Sequence, residues 1–161
     1  AMTITSKMEG NDQYAQATLV TFTGAQLASA QIVLRADAPA RRDFYFFAAG
    51  RNIGAPAWTS NIFKMANGVE TSLLSENATT WAATDVLRAE AEGTTLTLKR
   101  NGTALLTVTD TTFSMGRAGL RMFVNTGGNL ANCEVDDYEQ GSLAVVAASY
   151  PRFGLTMLGV R

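Results

Sequence analysis

Hydrophobic and polar side chains alternate along this chain with the two-residue period of β-strands. In residues 95–99, two leucines alternate with two threonines and a lysine, so a strand here would present one apolar face and one polar face. Residues 44–49 instead form a continuous apolar run, which is typical of a strand buried on both faces. Further strands are predicted at 16–22, 31–36, 85–92, 119–124 and 134–139.

Two Asn-Gly dipeptides predict tight hairpins. Asn67-Gly68 and Asn101-Gly102 each lie between two segments with the composition of strands. The paired segments are 61–66 with 69–74, and 94–100 with 103–108. Because Asn-Gly tolerates the positive φ angles of a two-residue type I′ turn, each pair of segments is predicted to form a β-hairpin.

The predicted strands follow one another with the spacing of an all-β domain. About ten short strands recur at intervals of roughly 8–12 residues, which indicates a sandwich or a barrel. No segment keeps a helical period over about twelve residues, although the alanine-rich residues 75–83 are predicted to hold one helical turn. The 161 residues, 47% of them hydrophobic, are enough for a single domain with a full core.

The composition excludes several classes of function. With 13 basic and 14 acidic residues the net charge is −1, so the chain offers no field that would attract nucleic acid or an anionic membrane. No apolar run approaches the roughly 20 residues that span a bilayer. The sequence contains no histidine, which removes Ser-His-Asp and Cys-His catalysis and histidine-ligated zinc. The single cysteine, Cys133, is predicted to be a buried strand residue.

Three segments carry a resemblance to a known group of modules. Residues 85–92 read Asp-Val-Leu-Arg-Ala-Glu-Ala-Glu, residues 116–120 read Gly-Arg-Ala-Gly-Leu, and residues 135–139 read Val-Asp-Asp-Tyr-Glu. Over residues 12–143 the chain resembles the laminin G-like/concanavalin A-like jelly-roll modules found in bacterial secreted proteins, beside glycosidase domains and in phage structural proteins. The resemblance implies an all-β fold, a two-sheet antiparallel β-sandwich whose concave face often carries sugar. Other members bind protein or build particles.

Related modules often hold a structural calcium ion near their terminal strands, so the resemblance also implies a candidate metal site. The densest group of acidic residues is Asp136, Asp137 and Glu139, and Asp12 offers a further oxygen ligand. Calcium takes six to eight oxygen ligands in proteins. The candidate site is a structural calcium bound by Asp12, Asp136 and Asp137, and no other cofactor is expected.

Four residues are candidates for contact with a carbohydrate. The rings of Trp58, Trp81 and Tyr45 can stack on the C–H face of a sugar, and the amide of Asn61 can bond its hydroxyl groups. Trp58 lies in a loop rich in glycine, proline and alanine, where binding residues are common. Either tryptophan could instead close one end of the core. Five phenylalanines are predicted to be core residues: Phe44, Phe46, Phe47, Phe63 and Phe123.

Two glutamates are candidates for a catalytic role. Glu90 and Glu92 lie two residues apart on one predicted strand, so both project from the same face. Some jelly-roll glycosidases use carboxylates in this way, with a Glu-x-Asp-x-x-Glu spacing that is not met here. We expect instead that Arg88 pairs with these carboxylates on a solvated strand face, and that the protein is not an enzyme.

Two functions from different classes remain. The leading hypothesis is a non-catalytic module that binds a carbohydrate or glycoconjugate. The alternative is a structural or decoration protein of a phage particle or similar assembly, with capsid or tail proteins as partners. In that case the apolar residues 144–161, predicted as a tail beyond the sandwich at 1–143, would form an edge strand or the arm of a homo-oligomer. Both functions imply an extracellular, cell-surface or virion location, although the first residues show no signal-peptide pattern.

Overall fold

Strands account for nearly every regular element of the chain. The structure, a computed structural model, describes residues 2–8, 10–22, 28–37, 42–52, 58–124 and 130–143. Within these ranges it contains eleven strands and one short 3-10 turn at Leu130–Asn132. The strands are β1 Met2–Met8, β2 Gln13–Phe22, β3 Ala28–Ala36, β4 Phe44–Asn52, β5 Trp58–Ala66, β6 Val69–Glu76, β7 Val86–Glu92, β8 Thr95–Arg100, β9 Thr103–Thr109, β10 Arg117–Val124 and β11 Cys133–Ser142.

The strands form two antiparallel sheets. The six-stranded sheet has the order β1-β10-β3-β4-β5-β6, and the five-stranded sheet has the order β11-β2-β7-β8-β9. Strands β2 and β3 are consecutive in the chain but belong to different sheets, as do β6 and β7. The chain therefore passes repeatedly from one layer to the other, and the predicted two-sheet antiparallel jelly-roll sandwich is confirmed.

Both predicted hairpins are present. Asn67-Gly68 joins β5 to β6, and Asn101-Gly102 joins β8 to β9. The two asparagines have φ angles of 51° and 50°, and the two glycines have φ angles of 79° and 83°. These positive values at both central positions are those that a type I′ turn requires.

The five-stranded sheet buries only one of its faces. In β2, buried residues alternate with half-buried or exposed ones from Gln13 to Val20. Strands β7 and β8 show the same alternation, with Leu87, Leu96 and Leu98 fully buried between the sheets. The two-residue period of the sequence therefore reflects an apolar face turned inward and a polar face turned to solvent.

The six-stranded sheet is buried on both faces at its centre. All nine residues of β3 are buried, and so are residues 44–49 of β4, as the apolar run predicted. One set of side chains faces the five-stranded sheet, and the other set lies on the opposite side, which we call the outer face. The outer face carries its own apolar cluster of Val33, Ala36, Phe44, Phe46, Ala48 and Phe63.

One end of the sandwich is organised by Arg35, near the end of β3. Its guanidinium group donates hydrogen bonds of 2.7–3.2 Å to the carbonyl oxygens of Asn11, Gly93 and Phe113. Its backbone N–H donates to Oε1 of Gln13 at 3.0 Å. Three separate loops are thus tied to one buried side chain.

Some sequence predictions do not match this architecture. Residues 75–83 contain the end of β6 and irregular chain, so the predicted helical turn there is wrong. Strand β1 was not predicted, although Met2–Met8 pairs with β10 at the edge of its sheet. The predicted tail at 144–161 lies outside the described residues. Among the residues that are described, no helix has the length and apolar character needed to cross a membrane.

Candidate functional site

The outer face of the six-stranded sheet brings together polar side chains from four strands. Arg121 of β10 lies opposite Gln31 of β3. Gln31 also pairs with Ala48 of β4, which in turn pairs with Asn61 of β5. Paired residues of antiparallel strands project to the same face, so these side chains form one row across the sheet. Ser72 of β6 extends the row, because its Oγ donates a 3.1 Å hydrogen bond to Oδ1 of Asn61.

Aromatic rings form a floor beside this row. Phe46 of β4 pairs with Phe63 of β5, and their rings stack with centroids 4.5 Å apart and planes 13° from parallel. The ring of Phe44 lies 5.8 Å from that of Phe46. Aromatic contacts of this kind contribute about 0.5–1.5 kcal/mol each beyond the area that they bury, so the three rings hold one another in place.

Arg121 extends over this aromatic floor. Its guanidinium carbon lies 4.8 Å from the ring centroid of Phe46 and 5.3 Å from that of Phe123, both within the range of a cation–π contact. Its Nη1 lies 3.9 Å from Oε2 of Glu70 on β6. Four strand spacings separate β10 from β6, which is roughly 19 Å on a flat sheet. A contact across this width indicates that the sheet curves toward its outer face.

Two buried polar atoms on this face have no hydrogen-bond partner within the described part of the chain: Oε1 of Gln31 and Nη1 of Arg121. Gln31 is only 2% exposed, and its Nε2 donates to Oγ of Ser29 at 2.8 Å, which leaves Oε1 as the free acceptor. The distance of 3.9 Å between Arg121 and Glu70 is too long for a hydrogen bond. Unpaired buried polar atoms are costly, and native proteins contain few of them.

The charge of Arg121 is incompletely balanced in this arrangement. Burial lowers the pKa of Arg121, and the nearby carboxylate of Glu70 opposes that shift only in part. The Glu70 side chain is 47% exposed and that of Arg121 is 18% exposed, so this ion pair lies where the face opens to solvent. Phe123, 42% exposed, lies beside it. We call Gln31, Glu70, Arg121 and Phe123 the outer-face site.

Two aromatic residues predicted to stack on a sugar lie inside the core instead. Tyr45 is fully buried between the sheets. Trp81 is 3% exposed, and its indole Nε1–H donates to Oγ of Ser60 at 3.1 Å. These positions do not present either ring to a ligand, because Tyr45 and Trp81 both belong to the buried core cluster between the sheets.

Of the remaining predicted contact residues, Asn61 does lie on the outer face, next to the outer-face site. It is 1% exposed. The backbone of Trp58 begins β5 and pairs with Asn52, but its side chain is outside the described part of the structure. Phe123, which was predicted to be a core residue, is instead exposed on the outer face, because its neighbours Met122 and Val124 occupy the inward positions of β10.

The three aspartates of the predicted calcium site do not come together. Leu143 donates its backbone N–H to the carbonyl oxygen of Asp12, at the end of β11, whereas Asp136 pairs with Thr18 further along the same strand. Oδ1 of Asp12 accepts the backbone N–H of Gly93, and Oδ1 of Asp136 accepts that of Asp137. In the described ranges no three acidic, histidine or cysteine residues form a group that could hold a metal ion.

Glu90 is an ion-pair partner on the solvent-facing side of the five-stranded sheet. Nε of Arg88 and Nζ of Lys99 lie 2.7 Å and 2.6 Å from its carboxylate oxygens. Burial alone would raise the pKa of Glu90, but the bonds from Lys99 and Arg88 outweigh it and lower that pKa. A carboxyl group that is held ionised is unsuited to act as a general acid. The expected pairing with Arg88 is confirmed for Glu90.

Arg121, Gln31 and Glu70 were not selected from the sequence. Arg121 shares one face of β10 with Gly119 and Phe123 and alternates with the apolar Leu120 and Met122, which is the pattern of many half-exposed strands. Its proximity to residues of β3 and β6, which lie far away in the chain, depends on the order of strands in the sheet. No local motif marks the site.

Comparison with known proteins supports the fold. No protein-family model matches the sequence, and no curated protein matches it significantly. Carbohydrate-binding module CBM66 from Bacillus subtilis has a similar structure, with a TM-score of 0.68, 16% identity and coverage of 88% of this chain and 81% of that chain.

Two galectins are also similar in structure. A toad ovary galectin in complex with thio-digalactose has a TM-score of 0.58 and 8% identity, over 87% of this chain and 96% of that chain. Galectin LEC-6 from Caenorhabditis elegans has a TM-score of 0.51 and 15% identity, over 76% and 81% of the two chains. At these identities the similarity establishes the concanavalin A-like jelly-roll fold.

Proposed function

We propose that this protein is a non-catalytic carbohydrate-binding module and that its ligand binds at the outer-face site. The observation that carries the proposal is the pair of unpaired buried polar atoms, Oε1 of Gln31 and Nη1 of Arg121, on one face beside aromatic rings. One is a hydrogen-bond acceptor and the other is a donor. A sugar hydroxyl group is both, so a ligand that displaces the side chains covering these atoms can satisfy either one.

The surrounding residues supply the other contacts that a sugar needs. The exposed ring of Phe123 can pack against the C–H face of a pyranose or furanose ring. The carboxylate of Glu70 is exposed at the entrance to the site and forms only a long ion pair with Arg121, so a ligand group can take its place. Binding would thus combine apolar packing with a few directed hydrogen bonds, as is usual for small-molecule sites.

The structural neighbours favour this function over the alternative. One is named as a carbohydrate-binding module, and another is a galectin in complex with a digalactoside. The alternative role in a phage particle or other assembly gains no support from these similarities. The extracellular, cell-surface or virion location remains a prediction.

A glycan array probed with the full chain tests the proposal. We expect binding to one or more glycans, and we expect Phe123→Ala to weaken it at least tenfold, because that substitution removes the exposed ring. Val20→Ala is the matched control, since Val20 is 49% exposed on the five-stranded sheet, and it should leave binding unchanged. Thermal unfolding of both variants verifies that they fold. Absence of glycan binding by the parent chain, or equal losses in the two variants, would overturn the proposal.

A further inference from the structure

We infer that the outer-face site recognises an acidic sugar, a hexuronate or similar hydroxy acid, with Arg121 as the group that binds its carboxylate. This inference rests on the proposed function and specifies its ligand class. Three observations carry it: the fixed orientation of the Arg121 guanidinium group, its loose contact with Glu70, and the free acceptor of Gln31.

The guanidinium group of Arg121 is oriented by its aromatic neighbours. Contacts with the rings of Phe46 and Phe123, at 4.8 Å and 5.3 Å, restrict where its planar fork of N–H donors can point. A fork that is fixed in advance loses little side-chain entropy on binding, and its geometry matches the two oxygens of a carboxylate. Nη1 is buried and has no hydrogen-bond acceptor among the residues described, so a ligand carboxylate that displaces Glu70 would give this donor a partner.

The carboxylate of Glu70 lies where a ligand carboxylate would bind Arg121, but it forms no hydrogen bond with Nη1 of Arg121. Its Oε2 lies 3.9 Å from Nη1 of Arg121, and its side chain is 47% exposed. An ion pair this long and this exposed contributes little stability. A ligand carboxylate can therefore displace that of Glu70 and form the short, paired hydrogen bonds that Glu70 does not form.

Gln31 adds a requirement for a hydroxyl group near the ligand carboxylate. Its Nε2 donates to Oγ of Ser29, which leaves the buried Oε1 as an acceptor without a partner in the described part of the chain. An acceptor repels an anionic oxygen but bonds to a hydroxyl donor. Since Gln31 pairs directly with Arg121 across β3 and β10, the two residues fit a molecule that carries a carboxylate and a hydroxyl group close together, as hexuronates do.

The test compares acidic sugars with neutral forms of the same molecules. Trisaccharides of galacturonate, mannuronate and guluronate are titrated into the full chain by isothermal calorimetry, each beside its methyl ester, which removes the negative charge and adds one methyl group. We expect at least one free acid to bind at least tenfold more tightly than its ester. Arg121→Gln should abolish that preference.

Two further variants separate this inference from a general effect of charge. Glu70→Gln should strengthen binding of the acid severalfold, because it removes the competing carboxylate. Arg88→Gln is the matched control: the Arg88 guanidinium group also lies over an aromatic ring, that of Tyr14 at 3.9 Å, but it belongs to the five-stranded sheet and is bonded to Glu90 and Gln16. It should leave the preference for the acid intact.

The outcomes distinguish this inference from the proposed function. If glycans bind on the array but the free acids bind no better than their esters, the acidic class is overturned and the proposed function stands. Weaker acid binding by Glu70→Gln would also overturn it, since Glu70 would then be a ligand contact and not a competitor. If no glycan binds, acidic or neutral, the proposed function itself fails.

Discussion

The hydroxyl group of Tyr45 donates a 2.6 Å hydrogen bond to Oδ1 of Asp110 and accepts a 3.0 Å hydrogen bond from the backbone N–H of Phe113. Tyr45 belongs to the six-stranded sheet, whereas Asp110 directly follows β9 of the five-stranded sheet. Nζ of Lys64 binds the other carboxylate oxygen of Asp110 at 2.9 Å. Burial alone would raise the pKa of Asp110, but bonds from Thr112, Tyr45 and Lys64 outweigh it and lower that pKa. This group therefore links the two sheets through an ionised carboxylate.

Replacing Tyr45 with phenylalanine should lower the free energy of unfolding by about 1.5–3 kcal/mol, because it removes a buried hydrogen bond to a charged acceptor. Urea unfolding measures the effect. Tyr14→Phe is the control, since it keeps the ring that lies 3.9 Å from the Arg88 guanidinium carbon, and it should change stability by no more than about 0.5 kcal/mol. Equal losses in the two variants would show that the Tyr45 hydroxyl has no special role.

Stability should also fall at alkaline pH through Tyr45. Burial and the hydrogen bond to Asp110 raise the pKa of Tyr45 from 10.0 to about 12. Because the pKa is higher in the folded state, this contribution is fully present below pH 10 and is lost as the pH rises toward 12. The stability difference between the parent chain and Tyr45→Phe should therefore shrink across that window. A difference that stays constant from pH 8 to pH 11.5 would contradict the raised pKa.

Arg35→Lys should destabilise the protein by at least about 2 kcal/mol. A lysine carries a single ammonium group and cannot reproduce the forked contacts of Arg35 with the carbonyl oxygens of Asn11, Gly93 and Phe113. Arg42→Lys, at an exposed position, is the control and should change the free energy of unfolding by no more than about 0.5 kcal/mol. If both variants unfold at the parent's urea midpoint, Arg35 does not hold the loops together.

Alanine substitution should lower the free energy of unfolding by different amounts at two glycines with positive φ. A Cβ atom at Gly116 would lie 2.4 Å from the carbonyl carbon of Arg35, and the φ angle there is 148°. At Gly102, with a φ angle of 83°, a Cβ atom meets nothing within 4 Å. We expect Gly102→Ala to cost about 1 kcal/mol and Gly116→Ala about 2–5 kcal/mol, measured by thermal unfolding. The reverse order would show that the close approach at Gly116 is relieved easily.

Cys133 should resist thiol reagents in the folded protein. Its residue is 2% exposed in β11, and burial raises the pKa of the Cys133 thiol from 9.0 to about 12. The thiolate is the reactive form, so an aromatic disulfide reagent at pH 8 should label the folded chain slowly and the urea-unfolded chain at once. Rapid labelling without denaturant would contradict the burial of this strand position.

The features of the fold that the sequence alone determined have local physical causes. The Asn-Gly turns were predictable because positive φ is a property of those residues, whatever surrounds them. The strands of the five-stranded sheet were predictable because burial of one face imposes a two-residue period. The apolar run at 44–49 predicted that β4 is buried on both faces, because a strand covered on both sides has apolar side chains at successive positions. The jelly-roll class followed from the number and spacing of such strands, together with the resemblance.

Long-range packing sets which face of each strand turns inward and which strands become neighbours. Tyr45 and Trp81 looked suited to a sugar, but the first faces the core and the second is covered by it. Phe123 looked like a core residue, but it lies on the outward side of β10. Arg121 and Glu70 lie on strands β10 and β6, which are four positions apart in the same sheet, and the two side chains meet because that sheet curves. Side-chain alternation specifies that a strand has two faces, and long-range packing alone selects between them.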